Sequence, residues 1–327
     1  RYRTPATRVI NTEGKMVLPG FHDAHLHTFM GGRSLVGCDV AGAPDIESTE
    51  AILKSCLVSS SSWLVAEGLN LAFFGESGPL LDWLNVIAGD RPMLLRASDG
   101  HSVAVNTVAL KMANITAATS APPSGVIERD EYGAPSGTLR ESAMALVEQV
   151  VPQLTEQERL NVMRTAIDAI NKAGITSVFD AWVGAPDIVD YRTLEAQNEL
   201  SIRVRAALAY GYGDLFAVDT PIVYEQQLKE REALSGDRFT LAAVKLFIDG
   251  VLEGETAALV SPYLHKPGYQ GELTYPQAEL NDIVANLVNN DLQVYTHAVG
   301  DGGEGYRCAC SSDRALHRGR IGTPSLR

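Results

Sequence analysis

The sequence predicts an α/β chain folded as a (β/α)₈ barrel, with about five of the eight strands legible. From about residue 150, apolar strand-like runs alternate with amphipathic helical stretches. That alternation implies a parallel sheet with helices outside. The strand candidates end in polar residues: His25 and His27, Asp180, Lys245 and Asp249, and His297. Such a barrel keeps its active site at those C-terminal strand ends. The alternative, a doubly wound sheet, wants a glycine-rich phosphate turn after an early strand, and none stands in that context.

Residues 1–16 hold a short β-like piece, Thr7 to Ile10, and a turn over Asn11 to Lys15. Residues 16–21 are an apolar approach suited to a buried first strand, ending at His25 and His27. Met30 to Arg33 reads as a flexible loop, and residues 45–58 read as a helix with Ile46, Leu53, Cys56 and Leu57 near one stripe. The Ser59 to Ser62 run reads as a loop. Short strands are expected at 63–66 and 92–96, the second leading to the turn Asp99-Gly100-His101. Residues 125–129 and 137–140 flank Asp130 to Gly133 as a hairpin. Thr155 and Glu158 form a capping box, Leu160, Met163, Ile167 and Ile170 follow at helical spacing, and Gly174 ends that helix. Strands at 175–179, 202–209, 241–248 and 292–296 alternate with helices at about 187–199, 222–234 and after 277. The last helix is expected to start with a second capping box, Thr274 with Gln277.

The chain has 327 residues, 45% of them hydrophobic, enough for a large core. Its formal charge of -13 argues against nucleic acid or an anionic membrane as partner. No apolar run approaches a membrane span. Four cysteines (Cys38, Cys56, Cys308, Cys310) form no regular framework, so reduced thiols and a cytoplasmic protein are expected.

His25 and His27 are two apart on a strand, so their imidazoles share a face, with Asp23 beside them. Two neutral imidazoles there are a ready pair of ligands for a divalent metal, and equally fit two polar residues at a loop entrance. Lys245, in Ala243-Val244-Lys245-Leu246-Phe247, must be paired, neutral, modified or reaching solvent. His297 taken alone fits a strand-end histidine bonded to a carbonyl, and Asp180 a strand-end cap. No Gly-x-Ser-x-Gly elbow supports serine-hydrolase chemistry. Cys308, Cys310 and His317 lack zinc-finger spacing.

Taken in order, the motifs carry a resemblance. Residues 17–27, Val-Leu-Pro-Gly-Phe-His-Asp-Ala-His-Leu-His, resemble the first metal motif of the amidohydrolase superfamily. More narrowly, the chain resembles the YtcJ-like amidohydrolases, the amidohydrolase 3 group. Supporting stretches are 95–101, 125–130, 244–251 and 297–301. The resemblance implies a metal-dependent hydrolase acting on a small-molecule, amide-type C–N bond. It implies a distorted barrel over 17–303, an insertion at about 60–150 between strands one and two, and a remnant of a β-sandwich in 1–16. By motif position, His25 and His27 would bind one metal, a carboxylated Lys245 would bridge, and His297 would bind a second. One or two zinc ions are expected. His101, Arg140 and Asp301 would face the substrate, and a homodimer stays open.

Two further elements of that family have no position here: a histidine after strand six and the proton-shuttle aspartate after strand eight. After Gly303 hydrophobic periodicity vanishes, and residues 304–327 read as a disordered tail, out of frame or cut short. The resemblance therefore leaves two readings, an amidohydrolase whose activity is impaired or a catalytically dead barrel that binds a ligand or partner.

Overall fold

Alternation of strand and helix becomes a curled parallel sheet in the computed structural model, which describes residues 3–59, 62–75, 78–123, 125–210 and 226–303. The strands are β1 (Phe21–Leu26), β2 (Cys38–Asp39), β3 (Leu64–Leu69), β4 (Met93–Ala97), β5 (Ser102–Val105), β6 (Gly125–Arg129), β7 (Pro135–Glu141), β8 (Ile175–Val183), β9 (Arg203–Ala209), β10 (Phe239–Phe247) and β11 (Gln293–His297). The helices are α1 (Thr28–Val36), α2 (Ile46–Ser59), α3 (Leu81–Ala88), α4 (Thr107–Met112), α5 (Ala145–Glu148), α6 (Glu156–Lys172), α7 (Ala185–Ala196), α8 (Arg231–Leu234) and α9 (Gln277–Asn289). One sheet runs β1-β8-β9-β10-β11, all pairs parallel. It bends far enough for its two edge strands to touch: the Tyr295 hydroxyl of β11 lies 3.0 Å from His25 Nδ1 of β1. A second, mixed sheet runs β2-β3-β4-β5-β7-β6 and comes entirely from the chain between β1 and β8.

The helices form where the sequence signals them. Thr155 caps α6, its hydroxyl accepting from Glu158 N–H while the Glu158 carboxylate accepts from Thr155 N–H. Leu160, Met163 and Ile167 of α6 then enter a core with Val178, Val204, Val244 and Leu246. Gly174 (φ +78°) closes the helix and turns the chain into β8. Asp130 to Gly133 turns β6 into the antiparallel β7.

Several expectations fail for identifiable reasons. Met30 to Arg33 lies inside α1 and is not a loop. Its glycines lower helix propensity, but Gly32 lets α1 approach α6 closely: a Cβ there would sit 2.6 Å from the Val162 carbonyl oxygen. The apolar approach is exposed (Val17 75%, Leu18 55%, Phe21 54%), because β1 lies at a sheet edge. Thr7 to Ile10 forms no strand among the described residues; an isolated segment has no ladder to join. The β-sandwich remnant therefore has no strand in residues 3–16. Helix α9 starts behind Pro276 with no side-chain cap, so the second capping box is absent. Cys38 and Cys56 are disulfide-bonded, against the reduced thiols expected, because β2 and α2 bring their Cα atoms to 5.8 Å. The 304–327 tail, with Cys308, Cys310, Asp313 and His317, lies outside the described residues, as do part of the serine run and most of the helix expected from 222.

Replacing Gly32 with alanine tests the α1–α6 contact. Helix propensity alone favours alanine by about 1 kcal/mol. The clash with a backbone carbonyl reverses that, and Gly32→Ala is expected to lose about 1–3 kcal/mol. Urea unfolding measures it; a gain in stability would mean the helices separate freely.

Candidate metal centre

The register of β10 against β11 sets the site. Lys245 pairs with Tyr295 and Phe247 with His297. All four side chains fall on one face by strand parity. Lys245 is 2% exposed, and its ammonium lies 4.8 Å from the centre of the Phe247 ring and 5.5 Å from that of Tyr295. Among the described residues no carboxylate or carbonyl pairs with it. Aromatic faces offset part of that cost. Burial pulls its pKa down to about 8.

His25 and His27 enter from the end of β1, their rings perpendicular at 5.3 Å. His25 Nδ1 faces the Tyr295 hydroxyl, and Asp23 turns aside to accept from His25 N–H. His27 Nδ1 is buried with no hydrogen-bond partner. Burial, then the positive charge of Lys245, push the His27 pKa down to about 3, and the same two causes lower His25. His297 is lowered too, by burial first. Its Nε2–H donates to the Gly250 carbonyl at 2.9 Å, leaving Nδ1 as the free lone pair.

His101 comes from the second sheet. Its ring lies 5.0 Å from that of His297 and 6.1 Å from Phe247. A turn with Gly100 at φ +74°, in which Asp99 accepts from His101 N–H, presents it. Its Nδ1–H donates to Glu141 at 2.9 Å. The other Glu141 oxygen accepts from the Thr256 hydroxyl at 2.5 Å, so one carboxylate ties the second sheet to the loop after β10. Glu141 is 1% exposed and left-handed (φ +51°), a costly conformation for a side chain of this kind.

The expected residues therefore divide. His25, His27, His101, Lys245 and His297 meet at the C-terminal end of the curled sheet. Arg140 is spent on Glu128 and Ser102. Asp301 accepts from Val260 N–H and staples a loop. Asp249 accepts three backbone N–H groups, those of Ala258, Val299 and Gly300. Asp180 is buried away from the histidines, against Tyr191 and Thr28. Glu141 and Trp182, 6.3 Å from His27, were not foreseen. Tyr295 was findable, because it shares a strand face with His297.

Neutral imidazoles, one with an orphaned nitrogen, fit a divalent transition metal. Among the described residues no three His, Cys, Asp or Glu side chains gather closely enough to hold an ion unaided. The further donor would be Lys245, which becomes a ligand only once it is no longer an ammonium.

A family model described as "Amidohydrolase family" matches residues 8–314. Protein LONG AFTER FAR-RED 3 of Arabidopsis thaliana is 28% identical over 306 residues, covering 90% of this chain and 51% of that protein. Putative amidohydrolase YtcJ of Bacillus subtilis (strain 168) is 27% identical over 311 residues, covering 92% of this chain and 56% of that protein. The chain thus spans about half the length of these curated relatives. The crystal structure of an uncharacterized metal-dependent hydrolase from Pyrococcus horikoshii OT3 superposes with a TM-score of 0.62 at 27% identity, over 89% of this chain and 55% of that one.

Asp180 offers a pH test of the packing beneath the site. Burial raises its pKa to about 7, against about 4 for a free carboxyl. Between those values the folded state holds a proton that the unfolded state has released. Stability from this group therefore falls as pH rises from about 4 to 7. Denaturant titrations at several pH values should show wild type losing ground to Asp180→Asn across that window; a constant difference would refute it.

Proposed function

This chain belongs to the amidohydrolase family, and on that premise we propose that it is a metal-dependent hydrolase of amide-type, non-peptide C–N bonds in small molecules. One observation carries the reading: His25, His27, His101, Lys245 and His297 converge at the C-terminal ends of parallel strands, with His27 Nδ1 buried and unpartnered. His25, His27, Lys245 and His297 would hold one or two divalent ions, of which zinc matches the donor set best. When bound, such an ion supplies a Lewis acid that polarises a carbonyl and makes water a nucleophile near neutral pH.

The side chains do the rest. With a pKa near 8, Lys245 has a usable share of free amine close to neutrality. That amine can add carbon dioxide and release a proton, giving a carbamate whose oxygens are ligands and whose negative charge removes the unpaired cation. The Gly250 carbonyl fixes the His297 tautomer. Glu141 does the same for His101, which leaves His101 Nε2 as an acceptor beside the His297 ring. His101 is our candidate for the group that takes and returns the water's proton. Aromatic rings of Trp182, Phe247 and Tyr295 pack around the histidines, while His25 itself stays exposed to solvent.

Two measurements test this. Elemental analysis of purified protein should find a divalent metal that is lost in His25→Ala/His27→Ala; metal-free wild type would sink the proposal. With a panel of N-acyl amino acids and N-substituted amides, His101→Gln should retain the metal but lose kcat by about 10²–10⁴, the usual worth of acid–base assistance. Metal without turnover of any panel member would favour the alternative, a barrel that binds a ligand without transforming it.

A further inference from the structure

We propose a second small-molecule site, not lined by any of the histidines, that takes an aliphatic monocarboxylate. A cavity of about 650 Å³ lies between α1, α6 and the β3–β4 side of the second sheet. Ligand pockets commonly span ~300–1,000 Å³. No histidine lines it.

Its polar wall is a ladder of alternating charge. Glu148 holds Arg96 through two hydrogen bonds, at 2.7 and 2.6 Å. Arg96 reaches Glu67 at 2.8 Å, and Glu67 lies 3.3 Å from Arg33 Nε. The ladder stops at Arg33. Its contact with Glu67 lacks hydrogen-bond geometry, so Nε is buried without a partner. Among the described residues nothing bonds the two terminal nitrogens of Arg33. Arg96 is held by Glu148 and Glu67, and one terminal nitrogen of Arg159 donates to both Asp187 and Asp190, although Arg159 Nε is also buried without a hydrogen-bond partner. Phe29 lies under both guanidinium groups, with Arg159 Cζ at 4.0 Å and Arg33 Cζ at 5.8 Å from its ring centre, which holds Arg33 at the wall. Burial also pushes the Arg33 pKa down, as expected of a guanidinium sharing its one carboxylate with Arg96.

A guanidinium fork with free terminal N–H groups matches one carboxylate in a bidentate pair. A dianion would be opposed by Glu67 and Glu148 beside it. Phe29, Val65, Leu154 and Val162 also line the cavity, alongside polar residues such as Gln153 and Asn161, and offer apolar surface to an alkyl chain.

Octanoate is the probe, titrated calorimetrically into the full chain, with octanamide as its uncharged analogue. Saturable one-to-one octanoate binding is expected, weakened at least about tenfold by Arg33→Met, and octanamide should bind comparably weakly. Leu154→Trp fills the cavity without touching the ladder and should weaken octanoate equally, so the test survives if Arg33→Met does not fold. Binding should persist in His25→Ala/His27→Ala, which separates this site from the metal centre. No saturable octanoate binding, equal binding of octanamide, loss of binding in the double histidine variant, or unchanged affinity in both cavity variants would each overturn the proposal.

Discussion

Burial at the strand ends, joined by a buried ammonium that has no counter-ion among the described residues, sets the electrostatics of this molecule's histidine cluster. Lys245 lies between two aromatic rings, and burial first, then its charge, disfavour protonation of His25 and His27. Both effects favour the neutral form of these two imidazoles, the state in which an imidazole can bind a metal. A carboxylate beside Lys245 would have relieved its burial and, by the same field, raised the histidine pKa values. Among the described residues no carboxylate takes that place, and the ammonium rests against the Phe247 and Tyr295 rings.

Parallel pairing makes that arrangement possible. Strands in register deliver Lys245, Tyr295, Phe247 and His297 to one face at one height. Curling of the sheet then brings β1, its far edge, across to β11, so that His25 meets Tyr295. The second sheet adds His101 through a single carboxylate, Glu141, held in a strained backbone conformation between His101 and Thr256. Strain of this kind persists only where surrounding contacts over-determine it. Here those contacts come from the turn that carries His101 and from the loop after β10 that carries Thr256.

Several carboxylates near the strand ends are structural. Asp180, Asp249 and Asp301 all follow or end strands and all looked eligible. Each is consumed by hydrogen bonds that hold loops or helices in place. Arg96 and Arg140 are likewise committed to carboxylates. Among the described residues, His27 Nδ1 at the strand ends and Arg33 Nε beside the cavity are buried without a hydrogen-bond partner.

Local rules in the sequence determined much of this. The alternation of apolar runs with capped helices specified the parallel sheet, the Thr155–Glu158 box specified where α6 begins, and strand parity put His25 with His27. These depend on residues a few positions apart, where backbone geometry leaves few choices. Only the tertiary structure decided which strand ends share a mouth, that Asp-Gly-His at 99–101 delivers a histidine there, that Glu141 orients it across a separation of 40 residues, and that Cys38 reaches Cys56. It also made a helix of Met30 to Arg33, because the backbone of α6 leaves room for Gly32 and for nothing larger. Such outcomes rest on contacts between elements distant in the chain, and no short-range pattern encodes them.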